Sequence, residues 1–354
     1  MNKKILIKGN EALARAAIKA GCKYFFGYPI TPQTEIGAYM ARKLPEIGGT
    51  FIQAESEIAA CNMLFGCAAA GKRAMTSSSS PGISLKTECI SYMAACDIPA
   101  VIVNVQRGGP GLGGIQPSQS DYWQATRAAG HGDFHLIVLA PSTVQEMADF
   151  VQLAFELSDK YRNPAMILAD GLIGQMMEAV EIKEPDTIPP EKNWAVNGHN
   201  FKRQHNIINS LVLDPQKLEE LNIERFKKYE IIKRNEQRCE NYLIKDAEII
   251  LVAFGASARI SKEAVDIARK QGIKAGLIKP ITLWPYPTDE IKKTLKTAKY
   301  FLSVEMNMGQ MVDDIRLAVD GQCPVYFYGR TGGVIPDPDA ISEVIKKIIT
   351  KEIK

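Results

Sequence analysis

Four short stretches carry the residue types from which chemistry could be built. They are Tyr28-Pro29-Ile30-Thr31-Pro32, Glu55-Ser56-Glu57, Ser77-Ser78-Ser79-Ser80-Pro81-Gly82, and Arg107 ahead of Gly108-Gly109-Pro110-Gly111-Leu112-Gly113-Gly114. Each proline fixes its own φ and pushes the residue before it toward extended backbone, so Thr31 is expected to stand extended at a strand exit. Glu57 heads a stretch of small and apolar residues, a costly place for a carboxylate without a partner. Arg107 offers a planar fork that meets two carboxylate oxygens at once. Plainer readings fit the same residues: an ordinary strand-to-loop turn, a charge at a helix N-terminus, a polar loop, and a salt bridge from Arg107 to an acid such as Asp121. No histidine lies near a candidate serine, so no nucleophile triad forms. No Gly-Lys-Ser/Thr follows a glycine loop, and no helix opens directly after 108–114, so phosphate-loop and dinucleotide fingerprints are excluded.

The elements that must position these residues alternate between strand and helix. Residues 4–8 read as a lead strand and 11–20 as an alanine-rich helix closed by Gly21. A strand then enters the proline turn, followed by a helix over 35–44 and a strand over 50–53. The helix expected up to Ala70 is apolar on every side, the pattern of a buried helix, and its small residues also permit close approach of another chain. Strands over 73–76 and 99–106 flank a helix over 83–96. The second strand is the continuous Val/Ile run of a strand buried on both faces. A strand over 136–139, a helix over 144–160 capped by Ser142 with Gln145, and a strand over 165–169 complete a doubly wound parallel α/β domain. Three units are expected: 1–180, a linker with a charged helix over 181–245, and a smaller α/β domain over 246–354. In the linker, Asp214-Pro215 suits the N-cap and first position of a helix over 214–238.

The bulk properties narrow the function classes. A net charge of +3 over 354 residues, without a basic block, gives no case for nucleic acid. No apolar run approaches the roughly 20 residues that span a bilayer, and Met1-Asn2-Lys3-Lys4 opens no signal peptide. A cytoplasmic protein is expected. The seven cysteines show no Cys-x-x-Cys spacing, so neither a metal site nor an iron–sulfur cluster is expected on this chain. His131 and His135 stand four apart, but Gly132 and the following β-rich run argue against a helical zinc pair.

Taken in order, Lys8-Gly9-Asn10-Glu11-Ala12, the proline turn, Glu55-Ser56-Glu57, residues 76–82, Arg107-Gly108-Gly109-Pro110-Gly111, Gln116-Pro117-Ser118-Gln119-Ser120-Asp121 and Pro280-Ile281-Thr282-Leu283-Trp284-Pro285 are similar to one family. The chain resembles the alpha subunit of the 2-oxoacid:ferredoxin oxidoreductases, and in length and detail most the 2-oxoisovalerate branch. The resemblance implies a thiamine-diphosphate pyrimidine-binding domain followed by a transketolase C-terminal-like domain. It implies that Glu57 hydrogen-bonds the aminopyrimidine ring, that Arg107 holds the substrate carboxylate, and that Thr31 stands on the substrate and coenzyme A side. Pro29, Ile30, Ser78 and Ser79 are implied to line the cofactor, with no metal ligand on this chain.

The diphosphate half of such a site is missing, since Asp170-Gly171 lacks the leading glycine of Gly-Asp-Gly. The resemblance therefore implies a beta subunit carrying the diphosphate site and Mg2+, a gamma subunit and a ferredoxin-like delta subunit with iron–sulfur clusters, a dimer of such heteromers, and ferredoxin as acceptor. Coenzyme A would be co-substrate. Within the family, 2-oxoglutarate or pyruvate remains open as substrate. A non-catalytic scaffold with the same fold, or a stand-alone binder of a small anion, is the reading from other classes.

Overall fold

A computed structural model of the chain describes residues 4–127, 129–185 and 188–352. The elements of the first half run β1 (Ile5–Lys8), α1 (Gly9–Lys19), β2 (Tyr24–Gly27), α2 (Thr34–Lys43), β3 (Thr50–Gln53), α3 (Glu57–Ala69), β4 (Ala74–Ser78), α4 (Pro81–Ser84), α5 (Thr87–Ala95), β5 (Val101–Gln106), α6 (Tyr122–Thr126), β6 (Ile137–Leu139), α7 (Val144–Tyr161), β7 (Ala165–Asp170), α8 (Gly171–Gln175) and β8 (Met177–Val180). The second half follows with α9 (Pro215–Asn235), β9 (Cys239–Tyr242), β10 (Ile249–Val252), α10 (Gly255–Lys270), β11 (Ala275–Pro280), β12 (Thr282–Trp284), α11 (Thr288–Thr294), β13 (Tyr300–Glu305), α12 (Met311–Val319), β14 (Val325–Gly329) and α13 (Pro338–Ile349).

The chain is α/β, as its strand–helix alternation predicts. One sheet has seven strands in the order β12-β6-β7-β5-β4-β2-β3, parallel except where β12 meets β6. The apolar strands β5 and β7 lie at its middle, buried along their whole length. A second sheet has the order β14-β13-β10-β11-β9, parallel except at β9. β1 and β8 form a separate antiparallel pair. No described helix is long and apolar enough to cross a membrane.

Several expected elements shift. β4 begins and ends later than expected, so Ser77 and Ser78 are strand residues rather than loop. The helix expected over 83–96 is two helices, α4 and α5, broken at Leu85-Lys86. The cap of α7 is Thr143, whose side chain accepts from the Glu146 amide; Glu146 in turn accepts from the Ser142 amide and hydroxyl. Thr143 with Glu146, not Ser142 with Gln145, is therefore the capping pair. Asp214 does cap α9, accepting from the Gln216 and Lys217 amides. α3 is not buried all round: Ile58 is 49% and Met63 36% exposed. Its apolar sequence covers a face that this chain leaves open.

Two strands lie where the sequence reads as connector. β9 falls within the stretch expected to be linker and adds to the second sheet. β12 falls within the Pro280–Pro285 motif and adds to the edge of the first. Hydrophobic pattern alone misses such three- and four-residue strands, because pairing partners far along the chain create them.

Candidate active site

The organising feature is the strand order. β4 lies between β2, which enters the proline turn, and β5, which ends at Arg107. Ligands in open α/β sheets bind beyond the carboxyl ends of the strands, and all four candidate stretches reach that end. The serine run at the end of β4 faces each of the other three, the proline turn through Gln33.

Toward the proline turn, Ser77 Oγ donates to Gln33 Oε1 at 2.5 Å, and Gln33 Nε2 donates to the Tyr28 carbonyl. Asn10 and Gln175 both donate to the Pro32 carbonyl, at 2.8 and 3.0 Å. Gln33, Asn10 and Gln175 thus hold the turn from behind. Their remoteness along the chain kept them out of the sequence reading. Pro29 is exposed and borders a cavity of about 210 Å³ with Tyr28, Phe51 and Gln53. Ile30 is half-buried.

Toward α3, the contact runs through Gly82. A Cβ there would stand 2.2 Å from Ser78 Oγ and 2.8 Å from Glu57 Oε1, so only glycine permits this close approach. Glu57 is buried in the first turn of α3, and no donor among the described residues meets its carboxylate. Ser78 Oγ and Ser79 Oγ are also buried without partners. Beneath them lies Lys86, fully buried, whose Nζ donates to the Glu57 carbonyl and to Thr76 Oγ1, both at 3.2 Å. Burial lowers its pKa, while Cys61, Glu57 and Cys89 pull it back up. A lysine in the break between two helices gave no sequence signal.

Toward β5, Ser80 Oγ accepts from the Arg107 amide at 3.0 Å and donates to Asp121 Oδ2 at 2.6 Å. Asn104 donates to the same carboxylate oxygen, and its Oδ1 accepts from the Ser80 amide. Burial raises the Asp121 pKa, and the bonds from Ser80 and Asn104 lower it. Ser80 has φ 32°, a strained value for a residue with a Cβ, at the head of α4. Backbone strain of this kind is a tertiary property.

The Arg107 side chain makes no ion pair with Asp121. Its Nη1 donates to the Thr31 carbonyl at 3.0 Å and its Nη2 to the Leu112 carbonyl at 3.1 Å. Nε is buried without a partner, and the residue is only 7% exposed. A guanidinium held by carbonyls, with no carboxylate to neutralise it among the described residues, can meet an anion. Thr31 meets Arg107 through its backbone, which leaves its side chain exposed. The second sheet closes the far side, where Gly333 packs on Gln116 and Gly332 approaches Gly108.

Residues 15–241 match the family described as pyruvate flavodoxin/ferredoxin oxidoreductase, thiamine diphosphate-binding. The chain belongs to that family. Residues 247–341 match core domain II of pyruvate:ferredoxin oxidoreductase. The chain is 48% identical over 344 residues to the ketoisovalerate oxidoreductase subunit VorB of Methanothermobacter marburgensis, covering 97% of this chain and 96% of that one. It is 38% identical to the 2-oxoglutarate synthase subunit KorA of Methanothermobacter thermautotrophicus, covering 98% and 100%. Among solved structures, the 2-oxoglutarate:ferredoxin oxidoreductase from Magnetococcus marinus, with 2-oxoglutarate, coenzyme A and succinyl-CoA bound, superposes with a TM-score of 0.88 at 27% identity. That match covers 98% of this chain and 66% of that longer chain. A split-gene transketolase, at 12% identity and a TM-score of 0.59 over 97% and 98% of the two chains, shares the fold. This family member is thus an oxidoreductase subunit with a thiamine-diphosphate-binding fold.

Proposed function

We propose that this chain is the catalytic alpha subunit of a 2-oxoacid:ferredoxin oxidoreductase that converts a branched-chain 2-oxo acid, 2-oxoisovalerate, to acyl-CoA and carbon dioxide. The observation that carries the reading is the pairing across β4 of a buried cation and a buried carboxylate, neither in a salt bridge among the described residues. Arg107 is a buried cation without a carboxylate, and Glu57 a buried carboxylate without a donor. The greater identity to VorB than to KorA supports the branched substrate.

The residues fit the pyrimidine half of thiamine diphosphate. The Ser78 and Ser79 hydroxyls are buried and unsatisfied, and the Glu57 carboxylate stands beside Ser78 where Gly82 makes its close approach. When bound, the cofactor supplies a carbon nucleophile and an electron sink. Glu57 holds the proton at the aminopyrimidine ring nitrogen. Ser78, Ser79, Pro29 and Ile30 border that ring, and Lys86 anchors the first turn of α3 beneath it. Arg107 grips the substrate carboxylate with its fork, oriented by Thr31 and Leu112. The Thr31 hydroxyl orients the substrate on the side where coenzyme A enters.

This reading assigns 1–180 to the pyrimidine-binding unit, 181–245 to the connection and 246–354 to the transketolase C-terminal-like unit. It calls for a beta subunit with the diphosphate and Mg2+ site. It also calls for gamma and ferredoxin-like delta subunits with iron–sulfur clusters, a dimer of such heteromers, ferredoxin as acceptor, and a cytoplasmic complex.

The test is substrate-dependent reduction of ferredoxin or a viologen dye by the native complex, with coenzyme A and a panel of 2-oxo acids. The highest kcat/KM is expected for 2-oxoisovalerate, and a preference for 2-oxoglutarate or pyruvate would reassign the substrate. Arg107→Lys is expected to lower kcat/KM for every acid by about tenfold or more, because the fork is lost. Steady turnover by this chain alone would overturn the half-site assignment.

A further inference from the structure

At the opposite, amino-terminal end of the first sheet lies a cleft of about 650 Å³. It is formed where the turns ahead of β5 and β7 meet α9 and the segment 194–209. β5 is six residues long, which puts the cleft about 20 Å from Arg107. The volume is that of a site for a small organic molecule.

Its charge is unbalanced. Lys160, Arg162, Arg225 and Lys228 line it, against Asp97 and Glu224. Asp97 is taken by Lys228 at 2.5 Å, Glu224 by Lys227 at 2.8 Å, and Lys160 by Glu236 at 2.8 Å. Among the described residues, no carboxylate forms an ion pair with Arg162 or Arg225. Arg162 donates through Nε to the Asp97 carbonyl and lies over the Trp194 ring at 4.5 Å. Arg225 donates to the Ala95 carbonyl and to Asn222, and its Nε is buried without a partner. Burial lowers the pKa of Arg162 and of Lys228, against the upward pull of Asp97 on each. Asp97 and Arg162 also hold positive φ, 51° and 47°, where glycine is favoured. They are the residues that end α5 and α7, where the left-handed conformation commonly terminates a helix. Trp194, Ile207, Ile208 and Leu221 give the cleft an apolar wall, interrupted by Asn206 and Asn209.

We propose that this cleft binds a phosphorylated small molecule of nucleotide type, its phosphates on Arg162, Arg225 and Lys228 and its flat ring on the apolar wall. Planar guanidinium forks suit phosphate oxygens, and a site with both a cationic and an apolar wall suits a ligand with both parts. The site is separate from the candidate active site and does not depend on what that site does.

The experiment titrates the full chain calorimetrically with ADP, inorganic phosphate and adenosine. Saturable binding of ADP is expected, with phosphate and adenosine each weaker by about tenfold or more. Leu221→Glu and Arg162→Gln are expected to weaken ADP by about tenfold or more, and Arg107→Gln to leave it unchanged. Leu221 is 43% exposed, so its substitution keeps the test open should Arg162→Gln fail to fold. Three results would each overturn the proposal: no saturable ADP binding at millimolar concentration, ADP affinity unchanged by Leu221→Glu, or ADP binding lost in Arg107→Gln. Phosphate binding as tightly as ADP would overturn the nucleotide class.

Discussion

Two buried polar regions at the carboxyl ends of the strands differ in one respect. Around Glu57, the Ser78 and Ser79 hydroxyls and Arg107 Nε are buried and left without partners. Between the two sheets, around Gln119, Asp170 and Glu305, such groups are engaged. Gln119 donates to the Phe254 carbonyl and accepts from the Ser257 hydroxyl and the Met306 amide. Asp170 accepts the Ala256 and Ile173 amides. Glu305, fully buried, accepts three amides at the head of α12 and the Ser303 hydroxyl. A satisfied network contributes stability and a fixed arrangement of the sheets. An unsatisfied one costs stability and persists where a ligand completes it.

The contrast breaks hardest at Glu57. Glu57→Gln is expected to lower activity of the assembled complex by roughly 10²–10⁴-fold while the melting temperature holds. Turnover within about twofold of wild type would remove Glu57 from the chemistry. At the satisfied pole, Glu305→Ala is expected to cost about 3 kcal/mol of stability by orphaning buried donors, measured by denaturant unfolding. An unchanged midpoint would show that the network does not hold the sheets.

A smaller effect separates packing from hydrogen bonding. His135 stacks on Trp284 at 4.5 Å and meets Tyr229 edge-on, and burial first, then Lys233, depresses its pKa from 6.5 to about 4. Between those values the unfolded chain binds a proton that the folded chain refuses. Stability is therefore full above about pH 6.5 and is lost as pH falls toward 4. The melting temperature of His135→Phe should fall less over that window, and parallel curves would assign the loss to other groups. The smallest expected effect is at Ser79. Its hydroxyl has no partner, so Ser79→Ala should change stability by less than about 0.5 kcal/mol. A loss above about 1 kcal/mol would mean that the cradle is already satisfied without a ligand.

The sequence by itself determined the alternation of strands and helices, the burial of β5, the cap of α9, and the four stretches that converge. Those are local properties: side-chain periodicity, proline and glycine constraints, and apolar runs long enough to demand a core. Tertiary structure decided what the residues do once there. β4 lies between β2 and β5 by chain crossover, and that order lets Ser77 reach Gln33 and Ser80 reach Arg107 and Asp121. It turned Asp121 from a candidate partner of Arg107 into a partner of Ser80 and Asn104. It brought in Gln33, Asn10, Gln175 and Lys86, which no motif marks, and built β9 and β12 from residues read as connector. Spacing along a chain says which groups are available. Whether a buried group meets a partner is set by contacts across many residues of chain, and those exist only in the folded state.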